Sequence, residues 1–344
     1  MKAIILEEYS KFVYKDVPDP VLRDENDIRV RVRATSICGS DVHGMDGSTG
    51  RRRPPIIMGH EASGEIAAVG KRVTRFRTGD RITFDSTEYC GECFYCRRGD
   101  VNLCDSRRVL GVSCAEYSRS GTFAEYVVVP ERIVYAMPEG LDFVDASLVE
   151  PAAVAAHAAA ITPIALGDSI IVVGTGLIGL LLIQILRASA PGILIALDID
   201  PSRRDAAMKF GADAAFDPAA PDSPARVRAL TSGRGADHAF EAVGATAPIR
   251  TAIDLVRKGG TVTLIGNVSP TVELPLQSVV TRQITLYGSC AIVGEYPVVL
   301  DLMARKKIDV RALVSAVAPL SEGAAWFDRL YKREPGLLKV VLEP

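Results

Sequence analysis

Ser169-Ile-Ile-Val-Val-Gly-Thr-Gly-Leu-Ile-Gly179 decides how the second half of this chain folds. The short apolar, β-branched run at its start reads as a strand buried on both faces. Leu177–Ser189 behind it has the length and apolar pattern of a helix. Between them Gly174 permits a tight turn, Gly176 lets backbone approach a pyrophosphate, and Gly179 lets the helix pack close on the strand. The helix opens at Leu177 and Ile178, where free amides and the positive dipole end suit an anion.

Asp198 stands nineteen residues beyond Gly179, at the end of the apolar run Ile193–Leu197. An acid there accepts hydrogen bonds from the hydroxyls of an adenosine ribose and repels a 2′-phosphate, so NAD is expected over NADP. Arg203 and Arg204 follow closely. Arg203 is counted with the cofactor-binding residues and keeps NADP open; the other reading of both is a solvated helix face.

Working outward, strand-like runs recur at Ala214–Asp217, Ala239–Ala242, Thr261–Ile265 and Ile284–Gly288. Helical segments lie between them at Ser202–Phe210, Pro224–Thr231 and Ala247–Arg257. Strands alternating with helices indicate a parallel sheet covered on both faces, here residues 151–289. The first 150 residues differ. Ile28–Ala34, Ala62–Val69, Arg81–Phe84 and Phe123–Val129 alternate or are β-branched and are punctuated by Gly and Pro, as in a mostly-β, barrel-like lobe. Residues 290–344 carry helical patterns at Pro297–Lys306 and Ser321–Tyr331 and a last strand at Leu338–Leu342, and are expected to return to that lobe. The fold class is α/β with two domains, as 344 residues suggest.

The first lobe holds Cys90-Gly-Glu-Cys93-Phe-Tyr-Cys96 and then Cys104. Four thiolates at this spacing suit one tetrahedral zinc with no open position, a structural site organising about residues 88–106. Upstream lie Cys38-Gly-Ser40-Asp41-Val-His43 and Gly59-His60-Glu61. Cys38 and His60 are good zinc ligands, and Glu61 either binds directly or acts from behind a ligand; three protein ligands plus an open position make a reactive site. Seven cysteines in a chain of this size fit a reduced, cytoplasmic setting with metal-bound thiolates better than a disulfide framework. Cys114 and Cys290 are left over and read as small buried hydrophobes.

A net charge of −2 argues against a nucleic-acid or anionic-membrane partner. The N-terminus reads as a first strand, not a signal peptide. The longest apolar stretch, Leu177 to Leu186, is too short to span a bilayer.

These features resemble the zinc-containing medium-chain dehydrogenases over essentially the full length. The resemblance rests on Gly59-His60-Glu61, the four-cysteine lobe, Gly121-Thr-Phe-Ala-Glu-Tyr126, the glycine fingerprint and Gly235-Ala-Asp237 with Glu241 and Gly244. Glu150-Pro151 is similar to the sorbitol (polyol) dehydrogenase branch, because the classical alcohol dehydrogenases present a cysteine ligand where this chain offers Glu150.

The resemblance implies a GroES-like catalytic domain beside a Rossmann domain. It implies two zinc ions: a catalytic one on Cys38 and His60, with Glu61 and Glu150 binding directly or through water, and a structural one on Cys90, Cys93, Cys96 and Cys104. It implies that Ser40 hydrogen-bonds the substrate hydroxyl, that His43 passes the proton to solvent and that Asp41 supports the site from behind. The implied activity is hydride transfer between the secondary hydroxyl of a polyol, free or phosphorylated, and NAD, by a dimer or tetramer pairing through Ile284–Gly288.

The loop after His43 rims the pocket in this family. Gly44, where mammalian-type sorbitol dehydrogenases tend to carry an aromatic residue, implies a wider pocket. Arg51-Arg52-Arg53 suit a phosphate or carboxylate, or else form an exposed basic turn. Glu116 and Tyr117 are candidates for binding polyol hydroxyls. His157 and His238 read as structural. Threonine- or butanediol-type oxidation is the alternative activity. A non-enzymatic relative of the fold is disfavoured by the presence of Cys38, His60 and Glu150, and a zinc-ribbon nucleic-acid module by the acidic balance.

Overall fold

The structure is a computed structural model that describes residues 1–189 and 191–344. The chain divides into two compact units, Met1–Glu150 with Ile292–Pro344, and Pro151–Ala291.

The first unit is built on a seven-stranded sheet. Its central strand, Asp27–Ser36, alternates sharply: Ile28, Val30, Val32 and Ala34 are buried while Arg31 and Arg33 face solvent. Glu61–Val69 and Tyr126–Pro130 pair antiparallel with this strand. Arg81–Phe84 and Val134–Ala136 continue the sheet on one side. The C-terminal strand Lys339–Glu343 continues it on the other, pairing Val341 with Ser36 and Leu342 with Thr35, so the tail does return to the first lobe. Val314–Pro319 then adds a parallel edge strand. Two apolar clusters hold the unit together. One gathers Ile28, Val30, Ile66, Ile82, Phe84 and Val129; the other joins Ile4, Leu6, Met58 and Phe123 to Phe327 and Leu342 of the tail.

The N-terminal segment is a hairpin, Lys2–Glu8 against Lys11–Asp16, where the sequence reads as one strand. No sequence signal marks Val314–Pro319, because its residues are mostly exposed or half-buried and only Ala318 is apolar and fully buried. Cys114 and Cys290, expected as buried hydrophobes, are both half-buried.

The second unit is a six-stranded parallel sheet. In chain order its strands are Ser169–Val173, Ile193–Leu197, Ala214–Phe216, Ala236–Glu241, Val256–Leu264 and Thr285–Gly288. Their spatial order is third, second, first, fourth, fifth, sixth, the doubly wound order that places a ligand crevice at the carboxyl ends of the first and fourth strands. Continuous apolar runs such as Ile171, Val173, Ile195 and Leu197 are buried under helices on the sheet faces. The helix expected over Ala247–Arg257 ends at Leu255, and the next strand begins at Val256 rather than Thr261. Val256 pairs with Ala236 before a register shift, and Arg257 Nε reaches Asp237 Oδ1 at 2.5 Å, which holds this lead-in extended. No described helix is long and apolar enough to cross a membrane.

Candidate active site and nucleotide loop

Two strand ends bring the reactive cluster together. Glu61 opens its strand directly opposite Ser36, the last residue of the central strand. Two residues past Ser36, Cys38 caps the helix Gly39–Gly44, its sulfur accepting from the Ser40 amide at 3.5 Å. Ligand atoms of Cys38, His60 and Glu61 all lie within 4.8 Å of one another. His60 and Glu61 are buried.

The orientation of these groups fits a cation. Glu61 Oε2 accepts from the Ser36 hydroxyl and from Lys339 Nζ, whereas Oε1 is buried with no hydrogen-bond partner. Burial disfavours a charged imidazole at His60. The Asp41 carboxylate and the Cys38 sulfur outweigh that and hold its pKa well above the ordinary value. The unpartnered Glu61 oxygen stands among converging sulfur, nitrogen and oxygen donors, a set that suits zinc. The hidden support for Glu61 is Lys339, only 1% exposed, which also donates to the Ile37 carbonyl at 3.0 Å. Sequence reading passes over Lys339; the available signal is a lone cation inside Leu-Leu-Lys-Val-Val-Leu, a run that otherwise reads as a buried strand.

Glu150 stands apart from this trio. Its carboxylate is buried and accepts from Ser86 Oγ at 3.1 Å. Burial pushes its pKa up to about 7, opposed by His60 and reinforced by Glu61. It senses the cluster electrostatically without being one of the three residues whose ligand atoms converge.

Ser40 and His43 are both exposed, three residues apart on the short helix and so on neighbouring positions of one face. Ser40 Oγ donates to Cys38 Sγ at 3.3 Å and accepts from Arg52 Nη2 at 3.3 Å. Asp41 is buried between Arg52, at 2.9 Å, and His60 Nδ1, at 3.5 Å. Desolvation opposes its charge, but the imidazole and guanidinium prevail and bring its pKa down to about 2.

The three arginines separate as a strand's side chains do. Arg51 and Arg53 are exposed while Arg52 is buried. Gly44 does not widen the pocket: a Cβ there would lie 2.6 Å from Arg52 Cγ, so the arginine stem already fills that space. The Tyr117 hydroxyl accepts from the Val109 amide at 3.1 Å, whereas Glu116 is exposed.

Cys90, Cys93, Cys96 and Cys104 converge within the same 4.8 Å limit. Backbone amides point at the sulfurs: Cys90 N to Cys104 Sγ at 3.3 Å, and Cys93 N to Cys90 Sγ at 3.4 Å. Such donors lower the thiol pKa of Cys90, and those of Cys96 and Asp105 bring Cys93 to about 6. Burial pushes the Cys96 thiol the other way, up to about 12, so the fit to one tetrahedral zinc rests on the convergence and spacing of the four sulfurs.

In the second unit Gly174 sits at φ +88°, and a Cβ on Gly179 would lie 2.0 Å from the Gly174 carbonyl oxygen. Both positions require glycine. Space beside Gly176 is open, and no side chain caps the helix Leu177–Ala188, so its first amides, at Leu177 and Ile178, are free for an anion. Asp198 is buried and already bound to the loop: Oδ2 accepts from the Thr175 amide at 2.7 Å and Oδ1 from the Asp200 amide at 2.9 Å. Arg203 approaches Asp198 at 4.0 Å, while Arg204 donates to the Asp198 carbonyl at 2.8 Å. His238 is held between Thr261 Oγ1 at 2.7 Å and Asp168 Oδ2 at 2.9 Å.

Residues 24–139 match the alcohol dehydrogenase GroES-like domain family, and residues 178–305 match the zinc-binding dehydrogenase family. The chain is 34% identical over 333 residues to a probable D-xylulose reductase A of Aspergillus clavatus, covering 94% of this chain and 92% of that protein. It is 31% identical to the sorbitol dehydrogenase of Bacillus subtilis, covering 100% and 97%. A zinc-binding dehydrogenase of Sinorhizobium meliloti 1021, solved with NADP, superposes with a TM-score of 0.88 at 30% identity, covering 100% of this chain and 99% of that one.

Proposed function

Because the chain belongs to the zinc-containing medium-chain dehydrogenases, on the sorbitol dehydrogenase side of that family, we propose that Cys38, His60 and Glu61 hold its catalytic zinc. The enzyme is a zinc- and nicotinamide-dependent dehydrogenase of the polyol class. The observation that carries the site assignment is the convergence of those three ligand atoms around an unpartnered Glu61 oxygen. When bound, zinc supplies a Lewis acid that acidifies a substrate hydroxyl.

The chain's own residues do the rest. Ser40 accepts the hydroxyl proton, and His43 on the same helical face releases it to solvent. Lys339 and Ser36 fix Glu61, and Asp41 fixes His60. Glu150 adds a second carboxylate behind the cluster and acts without converging on it. Cys90, Cys93, Cys96 and Cys104 hold a structural zinc. Gly174, Gly176 and Gly179 seat the dinucleotide pyrophosphate against the amides of Leu177 and Ile178, and Asp198 takes the ribose hydroxyls. The carboxylate of Asp198 favours NAD, with Arg203 the residue that would admit a 2′-phosphate.

Hydride transfer read by nicotinamide absorbance tests this, with zinc counted per chain. The substrate panel holds free polyols, polyol phosphates, threonine, butanediol and simple alcohols, each with NAD and NADP. Turnover of a free polyol with NAD is expected. Turnover confined to polyol phosphates would bring exposed Arg51 and Arg53 into substrate binding. Turnover confined to threonine or butanediol would replace the polyol reading, and no turnover with both zincs present would overturn the substrate class.

The enzyme pairs as a homo-oligomer. Thr285–Gly288 is the edge of its sheet, and Val268, Leu276 and Val280 close to it in sequence are exposed apolar side chains.

A further inference from the structure

We propose that Arg52 is a positioning residue whose single guanidinium fixes both the proton-handling hydroxyl of Ser40 and the imidazole of His60; this rests on the dehydrogenase reading above. Arg52 is 4% exposed, and its direction is set by the backbone on either side. The Arg53 amide donates to the Ser113 carbonyl at 3.0 Å and the Ser113 amide to the Arg51 carbonyl at 3.2 Å. That pairing sends Arg51 and Arg53 to the opposite face, where both are exposed. Gly44 leaves the room the stem needs.

The guanidinium makes a fork. Nε and Nη2 donate to Asp41 Oδ1 at 3.0 and 2.9 Å, Nη2 also donates to Ser40 Oγ at 3.3 Å, and Nη1 donates to the Arg51 carbonyl at 3.0 Å. Asp41 then has its other oxygen, Oδ2, facing His60 Nδ1 at 3.5 Å, within ion-pair distance, and neither of these two buried atoms has another hydrogen-bond partner. A carboxylate on that ring nitrogen directs the opposite nitrogen to the metal.

The Ser40 hydroxyl has one proton and two lone pairs, and an arginine only donates. Arg52 occupies one lone pair. One lone pair is left to receive the substrate proton, and the hydroxyl's own proton, which rests on Cys38 Sγ in the free site, turns away from the sulfur to pass on toward His43. The guanidinium converts a free rotor into a group with one donor and one acceptor direction, a preorganisation that acts on turnover more than on binding.

A double-mutant cycle on the zinc-loaded full chain tests this. Arg52→Lys keeps a cation beside Asp41 but cannot fork onto Ser40. It is expected to lower kcat about tenfold to hundredfold with far less change in KM. In a Ser40→Ala background the same change is expected to add little. Arg52→Gln paired with Asp41→Asn leaves no buried charge unmatched and stands in for Arg52→Lys should that variant fail to fold. It is expected to speed release of one of the two zinc ions to a chelator about tenfold, the other ion leaving at its usual rate.

Wild-type kcat in Arg52→Lys, losses that simply multiply with Ser40→Ala, or unaltered zinc release would each overturn the proposal. Zinc release needs no substrate. A chain that oxidises no alcohol yet shows the altered release would sink the polyol reading and leave the Arg52 assignment standing.

Discussion

Lys339 carries its charge with 1% of its surface exposed, and among the described residues the carboxylate its ammonium contacts is Glu61. Removing one partner of a buried pair leaves an uncompensated charge, a cost of about 3–5 kcal/mol. Lys339→Met is therefore expected to lower thermal and denaturant stability by that order and to weaken zinc retention at the Cys38 site, with Lys339→Arg restoring much of both. A Lys339→Met chain as stable as wild type, with full zinc, would show that Glu61 does not need its cation.

Asp198 anchors the glycine loop through the Thr175 amide, and in the proposed function it also takes the ribose hydroxyls. Asp198→Ala is expected to raise KM for NAD about tenfold or more, as loss of hydrogen bonds to a charged group does. It is also expected to narrow the gap between NAD and NADP, because the repulsion of a 2′-phosphate disappears while Arg203 stays. Steady-state kinetics with both cofactors check this, and an unchanged ratio would remove Asp198 from cofactor selection.

At the level of elements, the four-cysteine loop holds only short helical turns, at Phe94–Arg98 and Val101–Leu103, between two-residue strand pieces. Few buried apolar side chains stabilise it, so its order is expected to depend on the proposed zinc. Cys104→Ser is expected to lose one zinc per chain and to make the 88–106 segment a preferred site of proteolytic nicking. Retention of both zincs would contradict a four-thiolate site.

A second element-scale link joins three segments of the parallel sheet through Asp237. Its carboxylate accepts from the Ser169 amide and hydroxyl, at 2.9 and 2.6 Å, and from Arg257. Partial burial works against ionisation, but these donors prevail and bring its pKa from 3.8 down to about 2. A depressed carboxylate stabilises the fold above its unfolded pKa and loses that stabilisation as pH falls toward the folded value. Wild-type Tm is therefore expected to drop more steeply between pH 4 and 2 than that of Asp237→Asn. Parallel curves would show that the network contributes nothing.

Both the cysteine ladder and the glycine fingerprint are legible in the sequence because their spacing is local and the chemistry dictates it. Lys339 and Arg52 are not. Lys339 meets Glu61 across 278 residues of chain, and no local pattern encodes that pairing. In the Arg51–Arg53 triplet the residue types say basic turn, and only the pairing with Ser113 shows that the middle one turns inward. Glu150 is legible as an acid near the site but not as one that stops short of the converging trio, a matter of packing around Ser86.

For the whole molecule, a parallel sheet with an uncovered edge and a net charge of only −2 has little to prevent self-association. Leu276 and Val280, on the helix preceding the edge strand, are 65% and 67% exposed. Side chains of this type at a sheet edge are the material of a two-fold interface that continues the sheet into a partner copy. Leu276→Glu combined with Val280→Glu places like charges opposite one another across such an axis and is expected to convert the proposed oligomer to a smaller species in light scattering. Neither side chain is buried in its own unit, so Tm measured at low concentration should fall only by the stabilisation that association supplied. Zinc content should stay at two per chain, because both cysteine-bearing sites lie in the other unit. An unchanged mass would move the interface away from this edge, whereas loss of zinc would mean that the substitutions disturb more than association.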